Sequence, residues 1–221
     1  AILSQPVGYT PEDLDGIWEH IRIGETTMGR AVTDAYLLAT GADIAFENAG
    51  GIRASIEKGT VTYQNVLDVS PYGNYIVTKE LSGKEILEIL ETSLDIMKAN
   101  IEANERGDYD GWPDNSGNML QAGGIEVRYN LSLEKGSRIL GALVQGKAIQ
   151  EDKTYTVAMN NYLPNDISDY PQFDGKANLH EYQACEDALA AYLGQPENVV
   201  LEGISRARLI AADGKPDNSG Q

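Results

Sequence analysis

A glycine pair framed by an amide and an arginine is the first place along this chain where ligand chemistry could be done. Asn48-Ala-Gly50-Gly51-Ile-Arg53 follows directly on the apolar run Asp43–Glu47. Two glycines let the backbone turn tightly and a ligand approach closely, and the amide groups of such a turn suit an anion. Arg53 adds a planar fork able to grip a phosphate or carboxylate through two parallel hydrogen bonds. The same segment also reads as a plain strand-end turn with a surface arginine. Tyr72 sits between proline and glycine in Ser70-Pro-Tyr-Gly-Asn74, a stiff loop on which a ring could stack against a base. Tyr162, in Asn160-Asn-Tyr-Leu-Pro-Asn165, follows another apolar run. The pair reads as a stacking clamp, or as two half-buried loop tyrosines. Arg22 precedes the first helical pattern, placed to meet an anion near a helix N-terminus or to form a surface salt bridge.

Bond-making groups are missing. There is no Walker-type phosphate loop, no HExxH, no GxSxG elbow and no CxxC. Two histidines, His20 and His180, fall short of the several that a dinuclear phosphatase site takes along with its aspartates. The expectation is a chain with no catalytic residue, no cofactor and no metal site of its own. Cys185 is the single cysteine, set in an apolar helical pattern and read as a buried small hydrophobe.

The chain as a whole is acidic, with 34 Asp and Glu against 17 Lys and Arg and a formal net charge of −17. Such a surface repels phosphate backbones, which argues against nucleic-acid polymers and anionic membranes as partners. It leaves room for a small anion where a few arginines converge. No apolar run reaches the roughly 20 residues that a membrane helix needs, so direct membrane insertion is not expected. Ala1-Ile2-Leu3 reads as the middle of a strand and Asp213–Gln221 as polar linker, so residues 1–212 form the expected domain and 213–221 a tail. Both ends look like cuts in something longer.

The elements that must position these residues alternate between strand and helix, as in α/β or α+β domains. Strands are predicted at Asp43–Glu47, Tyr75–Lys79, Ile125–Tyr129, Ile139–Val144 and Tyr155–Met159. Helices are predicted at Met28–Ala39 with Thr26 or Thr27 as cap, after the capping box Ser82–Glu85, and at Ala184–Leu193. Two long loops, Asn100–Gly123 and Asn160–Lys176, have the length and polarity of functional segments. Ala49-Gly-Gly-Ile52 recurs as Ala122-Gly-Gly-Ile125, which is either the trace of a duplication or chance.

Read together, these segments resemble the C-terminal domain of the 5′-nucleotidase family, which includes UDP-sugar hydrolases and 2′,3′-cyclic-nucleotide phosphodiesterases. The resemblance begins at Arg22-Ile-Gly-Glu-Thr-Thr-Met-Gly-Arg30 and is strongest over Ala42-Asp-Ile-Ala-Phe-Glu-Asn-Ala-Gly-Gly-Ile-Arg53. It continues through Ser70-Pro-Tyr-Gly-Asn74, Leu81-Ser-Gly-Lys-Glu85 and Lys153-Thr-Tyr-Thr-Val-Ala-Met-Asn-Asn-Tyr162, spanning about Ile2 to Ile210. It implies a four-layer α/β/β/α fold with mixed sheets. An N-terminal metallophosphatase domain of the same chain would hold two divalent metal ions. It also implies an extracellular, periplasmic or cell-wall-attached protein.

In that scheme a nucleotide or nucleoside is the partner, its base sandwiched between Tyr72 and Tyr162, where phenylalanine is more usual. Arg22 and Arg53 would hold the phosphate or ribose side, and Asn48 the base. The family's ribose-binding aspartate lies in a Gly-Gly-Asp-Gly loop, where this chain reads Asp166-Ile-Ser-Asp169-Tyr170. Aligned without a gap, Ser168 takes that place; shifted by one residue, Asp169 serves. The position one turn before Arg22, sometimes a further arginine, is Trp18. The rival reading is a non-catalytic surface or adhesion module that keeps the fold and has lost the ligand.

Overall fold

The computed structural model describes residues 2–107 and 111–212. Ala1, the expected linker 213–221 and residues 108–110 lie outside the described residues. From the start, the chain forms β1 (Pro6–Thr10), α1 (His20–Ile23), α2 (Thr27–Thr40), β2 (Ile44–Asn48), β3 (Gly59–Thr62), α3 (Tyr63–Val69), β4 (Tyr75–Ser82) and α4 (Gly83–Arg106). It continues with β5 (Leu120–Gly123), β6 (Ile125–Tyr129), β7 (Ile139–Val144), β8 (Lys147–Ala148), β9 (Thr154–Asn160), β10 (His180–Ala184), α5 (Cys185–Leu193), α6 (Glu197–Ile204) and β11 (Leu209–Ala211).

A five-stranded sheet in the order β10-β4-β9-β2-β5 forms the platform. Only β2 and β9 run parallel in it; the other neighbours are antiparallel. A four-stranded sheet in the order β11-β6-β7-β8 is likewise mixed, and β1 pairs with β3 alone. These are the α/β class and mixed sheets expected. The chain crosses from the first sheet to the second at Gly124, whose φ of 72° and close approach to the Asp43 carbonyl exclude a side chain.

Local sequence accounts for most of the platform. Ile44-Ala-Phe-Glu-Asn48 is buried at every position, as a strand covered on both faces must be. Thr26 caps α2 by accepting from the Gly29 amide, and Gly41, at φ 67°, ends it in the left-handed conformation. The Ser82–Glu85 capping box starts α4 as the sequence predicts. Helix α2 packs on β2, β5 and β9, with α5 and α6 beyond it, while α4 contacts both β4 and β7. Ile44, Phe46, Ile76, Val157 and Met159 form the sheet's share of one continuous core.

Three expectations are corrected. Ile2 and Leu3 are not in a strand: they are exposed turn residues, and pairing with β3 begins at Pro6. The segment Asn100–Gly123 is not one long loop. Helix α4 runs on to Arg106 because Asn100 is buried, its Nδ2 donating to the carbonyls of Arg22 and Ser116 at 2.8 and 3.0 Å. Its far end, Leu120–Gly123, is β5, paired with β2. The repeated tetrapeptide follows two different paths. Ala49–Gly51 is a 3-10 turn, whereas Ala122 and Gly123 lie in β5, so the copies are not equivalent in structure.

Candidate functional site

The parallel strands β2 and β9 end side by side at Asn48 and Asn160, and a cavity of about 430 Å³ opens just beyond them. Crevices past the carboxyl ends of parallel strands are the usual ligand sites of α/β sheets. Of the residues singled out from sequence, Arg22, Asn48, Gly50, Gly51, Tyr72 and Tyr162 line this cavity. Arg53 and Asp169 do not. Arg53 is exposed beside the cavity, near enough for its charge to act on Arg22. Asp169 is turned to the protein, accepting from Asn115 Nδ2 at 2.9 Å and Asn118 Nδ2 at 2.6 Å. Ser168, the ungapped alternative, donates to Asp166 at 2.8 Å. Neither member of the altered loop faces the cavity directly.

Arg22 is the unusual side chain. It belongs to the short helix α1, rather than to the loop ahead of the first helix, and only 4 % of it is exposed. Its Nη1 donates to the Trp18 carbonyl at 3.0 Å, and its Nε is buried without a partner. No carboxylate pairs with it among the described residues. Burial first, and then the neighbouring charge of Arg53, pull its pKa down to about 10, so the guanidinium is still cationic at neutral pH. Tyr72 and Tyr162 are 56 % and 53 % exposed on the same cavity, so both rings are open to a ligand there.

Behind the cavity lies a buried polar hub. Asn160 Oδ1 accepts from the amides of Tyr162 and Leu163 at 3.0 and 2.8 Å. Its Nδ2 donates to Asn48 Oδ1 and to Glu47 Oε1, both at 2.8 Å. One amide therefore fixes both Asn48 and the turn that carries Tyr162. The Glu47 carboxyl also accepts from Tyr36 Oη at 2.7 Å, and burial pushes its pKa up to about 7. Gly51 is small because any side chain there would collide with this carboxyl. Gly50 packs on Gly117, where an added Cβ would meet the neighbouring carbonyl at 3.3 Å. Both glycines thus have a packing reason in addition to any ligand.

Sequence reasoning missed Asn74, Asp114, Ser116, Gly117 and Asn118, which complete the lining. Asn74 was in view as the end of the Pro-Tyr-Gly-Asn turn. The others belong to the polar segment flagged as functional, but nothing in its local pattern says that it folds over Gly50.

Comparison with known proteins agrees with this architecture. Residues 6–175 match the family described as 5′-nucleotidase, C-terminal domain. The trifunctional nucleotide phosphoesterase protein YfkN of Bacillus subtilis is 37 % identical over 171 residues, covering 73 % of this chain and 11 % of that protein. Protein UshA of Escherichia coli is 32 % identical over 176 residues, covering 80 % of this chain and 28 % of its own length. The structure of a 5′-nucleotidase precursor from Thermus thermophilus superposes with a TM-score of 0.72 at 26 % identity, over 97 % of this chain and 41 % of that one. This chain thus spans only a minor part of each relative's length. The family match covers most of the chain and the fold agrees with it: the chain belongs to the 5′-nucleotidase C-terminal domain family.

Proposed function

We propose that this domain binds a nucleotide or nucleoside and positions it for hydrolysis by a two-metal site on an N-terminal metallophosphatase domain of the same, secreted protein. The observation that carries the reading is Arg22: a buried, charged guanidinium with no ion pair among the described residues, on a cavity that also presents two exposed tyrosines. Burying a cation without a partner is costly unless a counter-charge arrives with a ligand. In this reading Tyr72 and Tyr162 stack on the base and Asn48 hydrogen-bonds it. Arg22, with Arg53 from the rim, meets the phosphate. Asp169 acts on the ribose side indirectly, by bracing Asn118 on the cavity wall. Each stack contributes roughly 1–3 kcal/mol.

Among the described residues no group of three or more His, Cys, Asp or Glu side chains could hold a metal ion. The two divalent ions are assigned here to the N-terminal domain, and no chemical step is assigned to the residues of this one. What the domain supplies is orientation and proximity, which lower a barrier by several kcal/mol without a bond-making group. The domain alone is therefore inactive in this account. Among the described residues no helix is long and apolar enough to cross a membrane.

Calorimetric titration with adenosine, AMP and a UDP-sugar, repeated on Tyr162→Ala, tests the reading. Binding that is lost in the variant supports the clamp, and the ligand ranking narrows the substrate. Absence of binding to all three at millimolar concentration would count against it and favour the non-catalytic module.

A further inference from the structure

Both tryptophans of this chain, Trp18 and Trp112, stand in one cluster against Arg22. The Arg22 guanidinium carbon lies 4.0 Å from the centroid of the Trp18 ring. Trp112 meets Trp18 edge-on, with ring centroids 4.7 Å apart and planes at 65°. Trp18 therefore holds the guanidinium twice, with its ring face and with the carbonyl that accepts from Nη1 at 3.0 Å. An aromatic face attracts a cation, and the attraction grows as water is removed. This contact offsets part of the cost of burying Arg22.

The ring and the carbonyl leave one edge of the guanidinium uncommitted. Nε is buried with no partner, and Nη2 lies 3.6 Å from where a Cβ of Gly117 would stand, at the cavity wall. Nη2 is thus the nitrogen at the cavity, where an N–H can make a charge-assisted hydrogen bond to a phosphate or carboxylate oxygen. A flexible arginine would spread this edge over many rotamers and lose much of its grip to entropy. Stacked on Trp18 and tethered to its carbonyl, Arg22 has little such freedom.

Resting on the nucleotide reading above, we propose that Trp18 is a positioning residue, steadied by Trp112, that holds Arg22 with its Nη2 toward the phosphoryl oxygens of the ligand.

Because all indole emission comes from this cluster, tryptophan fluorescence reports on it directly. The test compares AMP and adenosine affinities by calorimetry in wild type, Trp18→Phe and Trp18→Leu. Wild type is expected to prefer AMP by about tenfold or more. Trp18→Phe should keep most of that preference, since a ring remains over the guanidinium. Trp18→Leu should bring AMP down to the adenosine level while adenosine affinity stays within about twofold, which also reports that the cavity is still folded. A preference that survives in Trp18→Leu but vanishes in Arg22→Met would overturn the role of Trp18 and leave the nucleotide reading intact. If wild type binds neither, the nucleotide reading itself fails and the proposal with it; equal binding of adenosine and AMP leaves the base-stacking reading standing and overturns the proposal. Should Trp18→Leu not fold, Trp112→Leu leaves Trp18 as the sole emitter. Its fluorescence should respond to inorganic phosphate and not to chloride at equal ionic strength; identical responses would overturn the proposal.

Discussion

Arg208 and Arg22 are buried to nearly the same degree, at 6 % and 4 % exposure, yet their surroundings are opposite. Arg208 grips Asp34 through Nη2, at 2.7 and 2.8 Å, and its Nη1 donates to the carbonyls of Gly203 and Arg206. Its backbone amide is held by Glu25, which also takes Arg30 at 2.9 Å. That corner carries its own counter-charges and ties β11 to the entry of α2. Arg22 has one carbonyl, one ring and a neighbouring cation, Arg53, with the charge of Glu19 acting on it but no ion pair among the described residues. A third buried charge shows the remaining solution. Glu47 has no cation beside it, and burial raises its pKa to about 7 so that it can shed its charge. Arginine cannot escape in this way near neutral pH. In the function proposed above, the counter-charge of Arg22 is the phosphate of the ligand.

The comparison can be broken most forcefully at Arg208. Arg208→Met leaves the Asp34 carboxylate without its cation and should cost roughly 3–5 kcal/mol in denaturant unfolding. A loss as small as that of a surface substitution would mean that the ion-paired corner is not structural.

Glu47 sharpens the middle case through pH. Its pKa lies at about 7 in the fold against an ordinary 4.5, so between these the folded protein holds a proton that the unfolded chain releases. Stability should fall as pH rises through that window and level off above it, by on the order of 3 kcal/mol. Gln at position 47 imitates the protonated carboxyl, able to accept from Asn160 and donate to Tyr36. In Glu47→Gln this part of the pH dependence should vanish, as urea melts at pH 5 and pH 8 would register.

At the cavity, Tyr72→Ala and Tyr162→Ala should each weaken AMP and adenosine alike, by roughly 1–3 kcal/mol. A loss confined to AMP would instead assign the rings to the phosphate side.

The same contrast explains what could be read in advance. The platform was legible because apolar runs and caps are local: Ile44–Phe46, the Thr26 cap and the Ser82–Glu85 box need no distant partner to be recognised. The cavity residues at strand ends and turns were legible for a similar reason, since Tyr72 beside glycine and Asn48 before two glycines advertise exposed loops. Polar residues whose partners are far along the chain were not. Asn100 reads as a loop residue until Ser116 and the Arg22 carbonyl are placed beside it. Asn160 gives no hint that it joins Glu47 to the Tyr162 turn. Strand β1 was missed because its burial is partial and its Gly8 is set by close contact with the Leu193 carbonyl. Asp169 shows the same limit at the site: the sequence offered Ser168 or, shifted by one, Asp169 for the ribose, and gave no sign that the Asp169 carboxylate meets Asn115 and Asn118.

The central claim is that Arg22 is kept for a ligand at a cost in stability. Its most direct test is Arg22→Met, followed by denaturant unfolding and AMP titration on the same preparation. The account predicts a protein no less stable than wild type, by up to about 1 kcal/mol more so, whose preference for AMP over adenosine is gone. A variant destabilised as deeply as Arg208→Met, with AMP binding intact, would make Arg22 a structural arginine and contradict the account.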